Sequence, residues 1–362
     1  MKTRTKLLLA LCAALLLLAG GCLLRLHALS GSLASQSAAE RWSGGSGKSF
    51  SQVSCFLPVD ETVSRSEIYE FRTAMLDELH KAALDAEGSD GLWLDAWSAV
   101  GKVKASGARG AGDASCIAVG GDFFAFHPLR LLSGSYIGEK DLMKDLVLLD
   151  EETAWMLFGG TDLQGMSVEI NGKPFVVGGV VERESDFASQ MAYTAGPGLF
   201  MSWEAYAALT GEESAISCYE AVMAEPVKGF AARVATDHFK LGRGEVLTNT
   251  GRFRFDRLLK LWAAADSRAM QSMGMMYPYW ENAARVVESR CARLLAAALF
   301  LLLIPAVTAV YWLLRLILRG KEALEDKLLP RARDGVEEAV RKRQRRRWEK
   351  KYGAHEKEKN GL

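Results

Sequence analysis

Phe50-Ser51-Gln52-Val53-Ser54-Cys55-Phe56-Leu57 alternates, with Val53, Cys55 and Leu57 on one face, and reads as a β-strand. Ser64-Arg65-Ser66-Glu67 follows. It is a capping box, because a Ser and a Glu three residues apart can each satisfy a free backbone N–H at a helix start. Ile68, Phe71, Met75 and Leu79 then recur at helical spacing, and Leu92 to Val100 reads as another strand. Residues 50–100 are therefore predicted to form a β-α-β unit. A second unit lies far downstream: a strand at Ile216–Ala224, a helix from Pro226 to about His238, and a short strand at Glu245–Thr248. Two such units around a long insertion predict an α+β, split ferredoxin-like domain with an inserted subdomain at about 125–212.

The insertion reads as mostly β. Val147 to Leu149 is a strand, and Asp150 then caps a short helix that carries Glu151 and Glu152 at its positive end and Gly159 after it. Met166–Ile170, Asn171-Gly172 and Phe175–Val181 form a hairpin, since Asn-Gly supplies the two positive φ angles of a type I′ turn. Trp203 to Leu209, between Ser202 and Gly211, reads as a capped helix. From Arg254 to Arg293 the pattern is mainly helical. That stretch holds Met270, Met273, Met275 and Met276, followed by Tyr277-Pro278-Tyr279-Trp280-Glu281-Asn282. Two readings of this cluster are packing beneath the domain and a binding surface near a membrane.

Outside this domain lie two apolar runs. Leu7–Leu24 and Leu294–Leu314 carry no charge, and at ~1.5 Å per residue they span roughly 27 and 32 Å, enough to cross a bilayer. Pro305 is tolerated in such a helix, and Tyr311 and Trp312 suit an interface belt. The whole chain of 362 residues is nearly neutral, with 45 Lys+Arg against 44 Asp+Glu. This excludes a globally basic nucleic-acid binder and a globally acidic disordered chain. The neutrality hides an asymmetry. Residues 26–293 hold 25 Lys+Arg and 35 Asp+Glu, whereas residues 315–362 hold 16 and 9. Positive residues flank the cytoplasmic ends of spans. The sequence thus predicts a cell-membrane protein with two spans and both termini cytoplasmic. Its parts are a cytoplasmic segment 1–6, a span 7–24, a linker 25–49, an extracytoplasmic domain 50–293, a span 294–314 and a basic cytoplasmic tail 315–362.

The first run could instead be a cleaved signal, and Ala19-Gly20-Gly21-Cys22 resembles a lipoprotein cleavage box. Ala19 stands where Leu is usual and Leu23 and Leu24 follow the cysteine, which favours an uncleaved anchor. Cys12, Cys22 and Cys291 fall in or beside the spans, leaving Cys55, Cys116 and Cys218 for the outer domain. An odd number with no CxxC reads as small buried hydrophobes rather than disulfides or a metal site. Trp42-Ser43-Gly44-Gly45-Ser46-Gly47-Lys48-Ser49 is not a P-loop, because Trp42 occupies a glycine position and no strand precedes it.

The residues suggest no catalytic, cofactor or metal site. His27, His80, His127, His238 and His355 are scattered, with no HExxH and no Gly-x-Ser-x-Gly elbow. Asp145, Asp150, Glu151 and Glu152 are explained by a turn and a helix cap, Asp122 has no evident partner, and His127-Pro128 reads as structural. In the tail, Arg341 to Lys351 holds eight basic residues and one acidic one. It suits a solvated juxtamembrane segment, anionic lipid headgroups or an acidic cytoplasmic partner; no recognition fold accompanies it for nucleic acid. Val336 to Trp348 is a candidate helix with a thin apolar face.

Gly120-Gly121-Asp122-Phe123-Phe124, followed by Leu131-Leu132-Ser133-Gly134, resembles the periplasmic core domain of MacB-type ABC transporter permeases. Leu149-Asp150-Glu151-Glu152-Thr153-Ala154-Trp155-Met156-Leu157-Phe158-Gly159 continues the resemblance. Gly165 and Asn171-Gly172-Lys173-Pro174-Phe175-Val176-Val177-Gly178-Gly179-Val180 follow in the same order. It is clear over about residues 119–182 and fainter over the rest of the outer domain. The resemblance implies one span, an outer core domain and an FtsX-like set of three spans, driven by a cytoplasmic ATPase. It also implies transmission of ATP-driven motion across the membrane rather than a solute channel. Here one apolar run follows the domain and no Walker motif is present, so transport by this chain alone is not expected.

The expected role is a non-enzymatic subunit or accessory of an ABC-type mechanotransmission complex. Its expected partners are membrane lipid, separate ATPase and permease subunits, and an extracytoplasmic protein. The alternative is a stand-alone membrane-anchored adhesion or scaffold protein without ATPase coupling. An envelope enzyme is a third class, for which no acid/base or nucleophile pairing is visible.

Overall fold

In the computed structural model the described residues are 3–44, 47–58, 60–61, 63–82, 84, 91–193, 196–211, 216–240, 242–263, 271–272, 275–323 and 329–359. In chain order the elements are α1 (Thr3–Ser30), α2 (Ala38–Ser43), β1 (Phe50–Phe56), α3 (Arg65–Lys81), β2 (Trp93–Ser106) and β3 (Ala111–Gly121). There follow α4 (Phe123–Phe126), β4 (Arg130–Gly134), β5 (Leu146–Asp150), α5 (Glu151–Leu157), β6 (Ser167–Ile170), β7 (Lys173–Glu182) and α6 (Phe187–Ala192). Next come β8 (Gly198–Ser202), α7 (Trp203–Thr210), β9 (Cys218–Ala224), α8 (Phe230–His238) and β10 (Glu245–Thr248). The last are α9 (Phe255–Ala263), β11 (Gln271–Ser272), β12 (Met275–Met276), α10 (Tyr279–Ala323) and α11 (Leu329–Lys359). The chain forms two compact units, residues 1–21 with 298–362, and residues 22–297.

In the first unit, α1 and α10 are both long and apolar enough to cross a membrane. The Cys12 thiol donates to the Thr308 hydroxyl at 3.7 Å, so the two helices touch. α11 is longer than the expected 336–348 helix, and Val336, Val340 and Trp348 on it are exposed.

The second unit, residues 22–297, holds the large sheet. Antiparallel pairing gives the order β10-β1-β9-β2, the arrangement of a split β-α-β fold whose two units interleave. α3 opens with the predicted capping box: Ser64 accepts from the Glu67 amide while the Glu67 carboxylate accepts from the Ser64 amide. Its Ile68, Phe71, Met75 and Leu79 are all buried against the sheet. β2 overruns the expected end at Val100, because Val103 and Ala105 continue inward while Lys102 and Lys104 point out. It then doubles back as β3 over a ladder from Ala96↔Gly121 to Ser106↔Ala111. The excursion from the ferredoxin-like sheet thus begins at about 107 rather than 125. β3 continues the sheet through β8, β5, β7 and β4. β6 bonds both β7 and the far end of β2, so β2-β3-β8-β5-β7-β6 is a closed ring.

The hairpin turn at Asn171 (φ 48°) and Gly172 (φ 79°) is as expected from Asn-Gly. Asp150 caps α5, and Ser202 with left-handed Gly211 bounds α7.

Three local expectations are corrected. Part of the stretch 25–49 is packed rather than a linker: residues 34–36 form a 3₁₀ turn, α2 follows, and Ala38 and Ala39 are buried against β1 and β9. Small side chains there allow close approach of backbones. The helix expected from Pro226 starts at Phe230, because Gly229 takes a left-handed conformation and Glu225 binds the amides of Gly229 and Ala231. The helical pattern expected over 254–293 is interrupted: β11 and β12 pair, Met275 bridges Pro58 and is buried in the main core, and α10 starts only after Pro278. Met275 is therefore packing; Met270 and Met273 lie outside the described residues, as does Glu212 at the expected edge of the insertion.

Candidate functional site

The thiols of Cys55, Cys116 and Cys218 behave as small apolar groups. All three are buried and free, and burial pushes each thiol's pKa up. Of the acidic group, Asp150 accepts from the Thr153 amide at 2.7 Å and from Arg183 Nε at 2.6 Å, and Glu152 also reaches Arg183 at 3.3 Å. Burial raises the Asp150 pKa against the pull of Thr153 and Arg183. Asp145 and Glu151 are exposed and stand apart from this pair. Asp122 precedes α4 without a side-chain cap bond. His27, His80 and His238 are exposed, with His238 3.6 Å from Glu78, and His355 lies on α11. Among the described side chains, His127 is the histidine drawn into a buried constellation.

That constellation is a chain of polar side chains through the domain. His127 Nε2 is hydrogen-bonded to Glu220 Oε2. The Ser54 hydroxyl lies 3.0 Å from Glu220 Oε1 and 3.0 Å from Asn249 Oδ1. Asn249 Nδ2 donates to Gln36 Oε1 at 3.1 Å, and Arg252 Nη1 donates to the same oxygen at 3.1 Å. Arg252 then forks onto Glu281, at 2.6 and 2.7 Å, and onto Glu288, at 2.8 Å from Nε. Arg285 donates to Glu281 at 2.8 Å and stacks 3.6 Å over the Tyr277 ring. Gln52 adds a parallel link, accepting from the Ala38 amide and donating to the Ser35 carbonyl. One run of contacts therefore joins α4, strands β1 and β9, the connector that follows α1, and the first turns of α10.

This arrangement is unsuited to nucleophilic catalysis. The Glu220 carboxylate lies between the Ser54 hydroxyl and the His127 ring, whereas activation of a hydroxyl needs the imidazole beside it. Ser54, Glu220 and His127 are each 1–2% exposed. Among the described residues no three His, Cys, Asp or Glu side chains gather as a metal site. A cavity of about 370 Å³ beside Trp280 is lined by Val100, Ile117, Leu129, Phe200, Tyr193 and Tyr279. Of its charged residues, Asp150 and Arg183 are engaged with each other and Glu182 with Arg130.

The Arg252–Glu281 pair is held in its ionised form. Burial works to raise the Glu281 pKa, but Arg252 and then Arg285 overcome it and hold the carboxyl below the usual carboxylate range. Burial likewise opposes the Arg252 charge, and Glu281 and Glu288 outweigh it. As the Glu281 pKa is lower folded than unfolded, where it is about 4.3, the unfolded chain takes up the proton first as pH falls. The stability this group contributes is complete above the unfolded value and is lost as pH falls through the folded one. Thermal unfolding followed against pH should therefore show an acid limb below about pH 4 that flattens in Glu281→Gln; an unchanged limb would exclude Glu281 from acid denaturation.

Sequence reading missed Gln36, Arg252, Glu281 and Glu288. A signal was present in α10: Glu281, Arg285 and Glu288 recur at the spacing of Ala284, Val287 and Cys291, so charges share the apolar stripe.

Residues 73–235 match the family described as the MacB-like periplasmic core domain. Among solved structures, the extracellular domain of the noncanonical ABC-type transporter YknZ from Gram-positive bacteria is 17% identical, with a TM-score of 0.37, over 55% of this chain and 99% of that one. The periplasmic region of MacB from Actinobacillus actinomycetemcomitans is 14% identical, with a TM-score of 0.38, over 60% of this chain and 94% of that one. No curated protein matches the chain. The matched residues contain every motif that carried the resemblance, from Gly120 to Val180, so the similarity to the MacB-like periplasmic core domain extends over residues 73–235.

Proposed function

We propose that this chain is a membrane-anchored, non-catalytic subunit of an ABC-type complex, in which the outer domain relays displacement of the membrane helices to an extracytoplasmic partner. In this reading residues 7–24 and 294–314 span the membrane, both termini are cytoplasmic, and residues 50–293 lie outside. The observation that carries it is Arg252, which ties the connector after α1, at Gln36, to the start of α10, at Glu281 and Glu288. A shift of either segment must break or drag contacts that run on through Asn249 and Ser54 to Glu220 in the central sheet. A buried network with discrete partners is suited to such a relay because it has two states, made or broken, rather than a continuum. The family resemblance supplies the ATPase as the source of displacement. The basic run Arg341–Lys351 is the proposed dock for that subunit or for anionic headgroups.

The test is association with an ATPase. The tagged full-length chain, extracted in mild detergent, should bring down an ATP-binding subunit, and deletion of residues 319–362 should release it. Recovery of extracellular partners alone, with no ATPase even after cross-linking, would leave a scaffold that uses the domain for protein contacts.

A further inference from the structure

Two short helices flank the base of α10 in the same way. α6 buries Ala188 and α9 buries Leu258 in one apolar cluster with Ala284, Val287, Cys291 and Leu295 of α10 and Leu33 of the connector. Leu26 and Leu29 pack against the same cluster. These residues adjoin the two apolar runs, which end at Leu24 and begin at Leu294. Each helix also shows an apolar pair at i, i+4 that the described residues leave about half exposed. Phe187 and Met191 on α6 are 51% and 57% exposed, and Phe255 and Leu259 on α9 are 55% and 39% exposed.

The geometry of α9 places its exposed pair relative to the packed residues. At about 100° per residue, Leu258 and Leu261 point to one side and Phe255 and Leu259 to the adjoining side, forming one broad apolar sector. The domain covers the first half, where Leu258 is 1% exposed, and leaves the second half open. Asp256 and Lys260 take the opposite side and are exposed. A helix embedded in the domain would have its whole sector covered, and a purely solvated one would have no second half. A half-covered sector at the level where the chain enters a bilayer fits the boundary between headgroups and acyl chains. Basic side chains stand around it: Arg254, Lys260 and Arg293 are exposed, and Arg290 stacks 4.1 Å over the Phe187 ring. Aromatic rings with flanking cations are the side chains that settle at a membrane interface.

We propose that α6 and α9 are a membrane-resting collar. Phe187, Met191, Phe255 and Leu259 enter the outer-leaflet interface, and the surrounding arginines and lysine meet lipid phosphates. This rests on the membrane-anchored reading above. Its consequence is that the base of the domain is fixed against the bilayer plane, so that helix displacement is delivered to the Arg252 network rather than dissipated in tilting of the domain.

The test uses the full-length chain in lipid nanodiscs, with Cys22→Ala removing the one cysteine that is not buried. An environment-sensitive nitrobenzoxadiazole label is placed in turn through Phe187→Cys, Leu259→Cys, Leu142→Cys and Leu303→Cys. Leu142 is 99% exposed on the loop that holds Glu139 against Arg72, and Leu303 lies within the second apolar run. Nitroxide lipids should quench labels 187 and 259 several-fold more than label 142, most strongly when the nitroxide is near the headgroup. Label 303 should be quenched most by a nitroxide deep in the acyl chain. If label 303 is quenched while labels 187 and 259 behave like label 142, the collar is overturned and the spans stand. If label 303 is also unquenched, the spans fail and the collar with them. If labels 187 and 259 are shielded from aqueous iodide yet unquenched by lipid, a protein covers the patch and the lipid assignment is overturned.

Discussion

Arg252→Ala should be among the most damaging single changes in the outer domain, costing about 3–5 kcal/mol of unfolding free energy. The side chain is 5% exposed and supplies cationic donors to both Glu281 and Glu288, which are 1% and 7% exposed. Its removal leaves Glu288 without this counter-ion and Glu281 with Arg285 in a buried site, where the loss of a partner is costly. At about 2–4 °C per kcal/mol for a domain of this size, the melting temperature of the chain in mild detergent should fall by roughly 10 °C. The triple change Arg252→Met, Glu281→Leu, Glu288→Leu should recover most of that loss, because deleting these three charges together removes their desolvation cost as well as their attraction, and Arg285 keeps Glu245 at 3.5 Å. A fall of under about 1 kcal/mol for Arg252→Ala would show that the cluster is wet and screened. The pair of variants also separates stability from relay: under the proposed function the triple variant is stable yet uncoupled, since Gln36 and α10 no longer share a partner.

The ease of reading the sequence followed the reach of each interaction. The capping box at Ser64–Glu67, the Asp150 cap and the Asn171-Gly172 turn were legible because donor and acceptor lie within three or four residues. The interleaved β-α-β units were legible from periodicity, since β1, β2, β9 and β10 all carry inward apolar residues. β3 was missed because its Ala-Gly-Asp-Ala-Ser-Cys run is weakly apolar, and its place depends on β2 and β8 beside it. The network was missed for the same reason. His127 meets Glu220 across 93 positions and Asn249 meets Gln36 across 213, and no window along the chain contains both ends. The connector was misread because Ser, Ala and Gly serve flexibility and close packing equally. The neighbouring backbone decides which, and at Ala38 and Ala39 it is packing. Methionines in the run before Tyr277 suit helix and strand alike, and the bridge from Met275 to Pro58 is a tertiary fact.

Gly134→Ala should cost roughly 3 kcal/mol, and Gly165→Ala only about 1 kcal/mol, although both glycines hold nearly the same left-handed backbone. Gly134 has φ +76° and Gly165 has φ +82°. The strain of placing an L-residue there is common to both and is worth about 1 kcal/mol. The difference is space. A Cβ on Gly165 meets nothing within 4 Å, whereas one on Gly134 would lie 2.1 Å from the Gly178 carbonyl oxygen and 2.6 Å from the Gly179 Cα. Those are backbone atoms of β7, so no rotamer change relieves the clash. β4 must lift away, breaking the register Ser133↔Val180 and Gly134↔Gly179 and the bond from the Ser135 amide to the Gly178 oxygen. Gly134 and Gly179 thus face each other across one closely paired pair of strands, since a Cβ on Gly179 would in turn lie 2.6 Å from the Ser133 oxygen, which gives a physical reason for glycine at both positions. Thermal unfolding of the two variants, with amide exchange of residues 130–135, checks this. Equal destabilisation would show that the backbone angle alone sets the requirement, and faster exchange of β4 confined to Gly134→Ala would show that the close approach does.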